Sequence, residues 1–102
     1  MAEFVTVGKP EDVPEGEPKA FDVGDRVVTV VKLEGEYFAF DDECTHRQCS
    51  LAEGELEDRS IVCPCHGSEF DVRTGEVLTP PAVQPLKTFE VRVDGGELRI
   101  AV

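Results

Sequence analysis

Every cysteine and every histidine of this chain lies in two short segments, Cys44-Thr45-His46-Arg47-Gln48-Cys49 and Cys63-Pro64-Cys65-His66. Each segment offers soft thiol and imidazole donors within a residue or two of each other. The second runs on into Gly67-Ser68-Glu69-Phe70, with small and turn-forming residues directly after the donors. Donors this concentrated point to a metal centre, and they constrain the fold: the rest of the chain is a scaffold that must hold these two segments.

The scaffold reads as all-β. No stretch carries the period of a long helix, and short apolar runs alternate with turn signals every eight to twelve residues or so. Phe4-Val5-Thr6-Val7 is a first strand. Residues 9–19 hold Pro10, Pro14 and Pro18 among carboxylates, which predicts a loop with at most one helical turn. Ala20 to Val23 and Arg26 to Leu33 form a hairpin about Gly24-Asp25. The valines at 27, 28, 30 and 31 make its second strand apolar on both faces, as a central strand is. Glu34-Gly35 turns the chain into Glu36 to Phe40, with Phe38 and Phe40 on one face. Asp41-Asp42-Glu43 leads into the first Cys/His loop, residues 53–60 are polar, and Ile61-Val62 is a short strand delivering the second loop.

Beyond that loop, Glu69 to Val72 and Glu76 to Leu78 flank a turn at Thr74-Gly75. Thr79-Pro80-Pro81-Ala82 cannot be central strand, because adjacent prolines lack donors. Phe89, Val91 and Val93 alternate on one final strand and Leu98, Ile100 and Val102 on the other, joined at Asp94-Gly95-Gly96. The expectation is one domain over residues 1–102: an antiparallel sandwich or barrel with two long loops at one end.

A formal charge of -12 repels phosphate backbones, which argues against nucleic acid as a partner. Acidic patches can instead steer the protein onto basic partners. The start, Met1-Ala2-Glu3-Phe4-Val5, has neither the apolar run of a signal peptide nor a twin arginine, and no stretch is apolar enough to span a bilayer. The expectation is a soluble cytoplasmic protein, where four cysteines favour metal binding or redox chemistry over a disulfide framework.

Cys44-x-His46, sixteen intervening residues, then Cys63-x-x-His66 gives two thiolates and two imidazoles. A structural zinc site is one reading, since Cys₂His₂ is a legitimate zinc set. Zinc fingers, however, pair like ligands in C-x₂₋₄-C and H-x₃₋₅-H knuckles, whereas each segment here mixes the two types. A mixed pair on each loop suits two distinct metals, one taking both thiolates and the other both imidazoles.

The segments Cys44-Thr45-His46 and Cys63-Pro64-Cys65-His66-Gly67-Ser68 resemble the two cluster-binding loops of Rieske [2Fe–2S] proteins. From Phe38 to Val93 the chain is similar to the soluble Rieske ferredoxins of bacterial aromatic-ring dioxygenase systems. That stretch includes Phe70-Asp71-Val72-Arg73-Thr74-Gly75-Glu76-Val77 and Pro85-Leu86-Lys87-Thr88-Phe89. The resemblance implies one [2Fe–2S] cluster, with Cys44 and Cys63 on the buried iron and His46 and His66 on the outer one. It also implies a potential in the Rieske range, roughly -150 to +300 mV, because imidazoles replace anionic thiolates.

Cys49 and Cys65 match the positions of an inter-loop disulfide in the Rieske subunits of cytochrome bc complexes, a pair that many dioxygenase ferredoxins lack. In high-potential subunits of that kind a serine at the Ser68 position and a tyrosine at the Phe70 position donate hydrogen bonds to sulfur. This chain keeps the serine and has no hydroxyl at Phe70, so a potential between the two families is expected. Arg47 replaces an apolar residue that docks at the quinol site in the respiratory subunits, which disfavours quinol oxidation. Thr79 to Ala82 falls where Rieske domains place a proline-rich cover over the cluster.

By this resemblance the chain is a monomeric one-electron carrier and not itself an enzyme. It would take electrons from a flavin-dependent NAD(P)H ferredoxin reductase and pass them to a terminal oxygenase, docking transiently through the His46/His66 tip. A small Rieske subunit of an assimilatory nitrite reductase is an alternative of similar length. A zinc-stabilised binding module is the alternative from another class.

Overall fold

The computed structural model describes residues 3–44, 49–65, 67–80, 82 and 84–101. Eleven strands are assigned among them: β1 (Phe4–Gly8), β2 (Lys19–Val23), β3 (Arg26–Leu33), β4 (Glu36–Asp41), β5 (Glu55–Glu57), β6 (Ser60–Val62), β7 (Glu69–Asp71), β8 (Val77–Thr79), β9 (Thr88–Phe89), β10 (Val91–Asp94) and β11 (Glu97–Ala101). Single 3-10 turns occur at Pro10–Asp12 and Leu51–Glu53. No helix among the described residues is long and apolar enough to cross a membrane.

The strands form three antiparallel sheets. A terminal sheet has the order β1-β11-β10, a central sheet β2-β3-β4-β9, and a loop-bearing sheet β5-β6-β7-β8. The central sheet packs against both others, which explains its two apolar faces. Val28, Val30 and Ala39 join Leu98 and Ile100 of β11 in one core. Val31 and Phe40 face the other way, into a core shared with Leu51, Ile61, Phe70, Val72, Ala82, Leu86 and two cysteines. Successive strand residues point to opposite sides, so β3 and β4 serve two cores at once. Val27, at the outer end of β3, departs from that pattern and is 41% exposed.

The turns follow their chemistry. Glu34 and Gly35 have φ of 53° and 80° between the paired residues Leu33 and Glu36. Gly95 and Gly96 have φ of 60° and 78° between Asp94 and Glu97. Two-residue hairpins with positive φ at both positions match the twist of the flanking strands.

Two expectations need correction. The polar stretch 53–60 contains β5, whose Leu56 pairs with Ile61 of β6. One apolar residue in three is too little periodicity to announce a strand, and cross-strand pairing supplies the rest. The alternating run Phe89-Val91-Val93 is also not one strand. Phe89 pairs with Ala39 in the central sheet, while Val91 pairs with Ile100 in the terminal sheet. The chain changes sheets at Glu90, whose carbonyl accepts from the Ala101 amide at 2.9 Å. Val93 is half exposed, and Val102 lies outside the described residues.

Gly75 fixes the turn that leaves the second loop. Its φ is +79°, and an added Cβ would collide with the Leu86 carbonyl, whose own amide donates to Gly75 O at 2.8 Å. Asp71 supports the same turn, accepting from the Arg73 amide at 2.7 Å and the Thr74 amide at 3.3 Å. Gly75→Ala meets a left-handed backbone and a backbone overlap together, so a loss of about 2–5 kcal/mol is expected. A thermal melt lowered by roughly 10 °C or more checks it.

Candidate metal centre

The first cysteine loop hangs from the end of β4 and is tied down by Asp42, a buried carboxylate at 8% exposure. Its Oδ1 accepts from the Thr29 hydroxyl at 2.6 Å, the Ser50 hydroxyl at 2.9 Å and the Ala52 amide at 3.0 Å. Its backbone carbonyl accepts from the Leu51 amide at 2.8 Å. A charged acceptor with three donors at one oxygen satisfies polar groups that would otherwise be stranded under the loop. Just beyond, a bridge pairs Glu43 with Ser50, and the Cys44 amide donates to Cys49 O at 3.0 Å. The loop is therefore pinched at its neck, with Cys44 and Cys49 on either side.

The second loop is closed in the same manner between β6 and β7. The Cys63 amide donates to Ser68 O at 2.7 Å, and the Gly67 amide donates to Cys63 O at 3.1 Å. Gly67 supplies the positive φ, +74°, that this tight return needs. The approach to the loop also depends on a glycine: a Cβ on Gly54 would overlap the Val62 carbonyl.

Both necks place a thiol inside. Cys44 and Cys63 are each 2% exposed and lie in one apolar core with Phe40, Phe70, Leu51 and Ile61. Cys49 and Cys65 are joined by a disulfide between the two loops, with 6.5 Å between Cα atoms. His46 and His66, with Thr45, Arg47 and Gln48, lie outside the described residues. Ser68 and Phe70 are fully buried. The Ser68 hydroxyl oxygen accepts from the Ala82 amide at 3.0 Å, which leaves its own proton to donate elsewhere. Of the segment Thr79 to Ala82, Ala82 packs into the cysteine core beside Ser68. Pro81 lies outside the described residues.

Sequence reasoning passed over Asp42. It sits in the acidic run Asp41-Asp42-Glu43, which reads as solvated surface. Asp41 instead pairs with Arg26 at 3.3 Å, and Asp42 is buried by contacts from β3 and residues 50–52. The available signal was Thr29, a lone hydroxyl in a strand of valines, which needs a polar partner when buried.

The donor set fits an iron–sulfur cluster. Two thiols buried in an apolar core, on loops that a disulfide ties together, are ligands of the soft kind that such clusters take.

Comparison with known proteins agrees. Residues 3–90 match the family described as Rieske [2Fe-2S] domain. The 3-phenylpropionate/cinnamic acid dioxygenase ferredoxin subunit of Escherichia coli (strain K12) is 42% identical over 90 residues, covering 87% of this chain and 84% of that protein. The Sphingomonas yanoikuyae B1 ferredoxin superposes with a TM-score of 0.92 at 31% identity, covering 98% of this chain and 99% of that one. The ferredoxin of carbazole 1,9a-dioxygenase from Nocardioides aromaticivorans IC177 gives 0.91 at 35% identity, covering 96% of each chain. A further match, with a TM-score of 0.89, 35% identity and coverage of 96% of this chain and 92% of that one, comes from a complex of reduced oxygenase and oxidised ferredoxin in carbazole 1,9a-dioxygenase. With its fold, its paired cysteine loops and these matches in agreement, the chain belongs to the Rieske [2Fe–2S] family.

Proposed function

We propose that this chain is the ferredoxin of an aromatic-ring dioxygenase system, working in the cytoplasm. It accepts single electrons from a flavin-dependent NAD(P)H reductase and passes them to a terminal oxygenase. The observation that carries this reading is similarity along nearly the whole chain to ferredoxin subunits of such systems. Cys44 and Cys63 would hold one iron from inside the core, and His46 and His66 would hold the other. When bound, the [2Fe–2S] cluster supplies reversible one-electron exchange at a Rieske potential.

The chain's own residues set the conditions for that exchange. The apolar core excludes water from the thiolates, and the loop necks hold both cysteines in place. Exposed Glu53, Glu55 and Glu57 line a groove beside Pro64 and Gly67, giving the second loop an acidic flank. Such a flank favours basic partners and makes association weaken as salt rises.

Iron and acid-labile sulfide in equal amounts, with a Rieske electron paramagnetic resonance signal after dithionite reduction, are expected. The decisive test mixes the reduced chain with a substrate-loaded terminal oxygenase under anaerobic conditions. Loss of the chain's reduced signal as the oxygenase is reduced supports the carrier role, and a colourless zinc protein sinks it.

Ser68 and Phe70 give a finer test. Ser68→Ala removes a fully buried hydroxyl whose proton is left to donate, and should lower the midpoint potential. Phe70→Tyr adds a hydroxyl in the same core and should raise it. A hydrogen bond favouring the reduced form by about 1.5–3 kcal/mol corresponds to roughly 65–130 mV for one electron, which bounds each shift. Equal potentials in all three proteins would refute the assignment.

A further inference from the structure

Three of the four cysteine sulfurs form a tight group. The Sγ atoms of Cys49, Cys63 and Cys65 all lie within 4.8 Å of one another. Two of them already share a bond, and the third belongs to a residue assigned above to iron. Cys44 is equally buried but is not in this group. A cysteine sulfur next to a disulfide is the arrangement from which thiol–disulfide exchange proceeds. Iron ligation would occupy the Cys63 sulfur and so keep it from the disulfide in the loaded protein.

We propose that in the cluster-free chain Cys63 attacks the Cys49–Cys65 disulfide and moves it to Cys49–Cys63, which blocks reloading until a thiol reductant, itself oxidised to a disulfide, reduces that bond and frees Cys63. This rests on the reading of Cys63 as an iron ligand. The step balances without an outside oxidant. A bond forms between Cys63 Sγ and Cys49 Sγ, the bond between Cys49 Sγ and Cys65 Sγ breaks, and Cys65 leaves with the electron pair. Cys65 then takes up the proton that Cys63 gave to solvent.

Burial sets the direction. Cys65 is exposed and Cys49 is half-buried, so attack at Cys49 releases the thiolate that water solvates best. The opposite attack would join Cys63 to Cys65, two residues away on the same loop, and close a strained small ring. The product buries an uncharged disulfide at the core side and places the free thiol outside. It also preserves the covalent link between the loops, so the emptied site stays folded while one of its two thiol ligands is lost. The bond that braces the loaded loops thus becomes, once iron leaves, a reversible lock.

The full wild-type chain suffices for the test. Iron is stripped anaerobically with a chelator, exposed thiols are capped with N-ethylmaleimide, and disulfides are mapped after trypsin. Cleavage at Arg47, Arg59 and Arg73 leaves Cys49 on peptide 48–59 and both Cys63 and Cys65 on peptide 60–73, where fragmentation distinguishes them. The expected result is maleimide on Cys65, a bond between Cys49 and Cys63, and recovery of the visible cluster absorption only when dithiothreitol accompanies iron and sulfide. Retention of Cys49–Cys65 with maleimide on Cys63 overturns the proposal. So does a scatter of pairings that includes Cys44, because that is the behaviour of an unfolded chain. A separate sample capped before chelation tests the ligand reading alone, since maleimide on Cys63 in iron-loaded protein refutes that reading.

Discussion

Cysteine in place of His66 lowers the midpoint potential out of the Rieske range, roughly -150 to +300 mV, toward the roughly -400 mV of plant-type ferredoxins with four cysteines. The cause is charge. On the proposed ligand set an anionic thiolate would stand where a neutral imidazole binds, and adding an electron beside more negative charge is harder. His46→Cys acts in the same direction, and the double change should fall furthest. Redox titration followed by electron paramagnetic resonance measures the shift, with iron and sulfide content confirming that each variant is loaded. A fully loaded His66→Cys protein with an unchanged midpoint would remove His66 from the ligand set.

Asp42→Ala is expected to cost about 3–5 kcal/mol, a large share of the roughly 5–15 kcal/mol that holds a domain folded. Three donors converge on one Asp42 oxygen, and alanine strands all of them: the Thr29 and Ser50 hydroxyls and the Ala52 amide. Thr29 is fully buried, so water cannot replace the lost acceptor there. Asp42→Asn keeps an oxygen in place and loses only the charge, so its penalty should be smaller. Urea unfolding of the iron-loaded protein ranks the three. Iron release to a chelator should also quicken in Asp42→Ala, because the first loop loses its anchor to β3. A midpoint unchanged within error for Asp42→Ala would show that the carboxylate does not hold the loop.

How much of this could be read from sequence depended on whether the signal was local. Leu98 and Ile100 announce β11 through alternation, and the turns at Glu34-Gly35 and Asp94-Gly95-Gly96 announce their hairpins through residues that accept positive φ. The four valines of β3 indicated a central strand, although Val27 is an outer position. Other features were decided at a distance. Nothing at Glu90 marks the change of sheet, since the alternation runs straight through it. The strand at 55–57 depends on β6 for its pairing, and Asp42 is buried by a threonine thirteen residues earlier in the chain. In the candidate site, Cys44 and Cys63 were legible as donors by type and spacing. Their shared burial, and the matching hydrogen bonds at the two loop necks, required the fold.

The pairing of β4 with β9 has a consequence for motion. Ala39 faces Phe89, Phe40 faces Thr88, and the Asp41 amide donates to Lys87 O at 3.0 Å. Everything from Asp42 to Leu86 is thus a single excursion that leaves and rejoins the central sheet at adjacent strands. Such an excursion can open as a sub-global unit, with its own cooperative free energy, while the terminal sheet stays protected. Native-state hydrogen exchange should then fall into two tiers, amides of β6 and β7 exchanging ahead of those in β3 and β11. The same closure makes the excursion a cassette: a relative's cluster loops, cut at these two strands, can be exchanged for this chain's own without disturbing the far core.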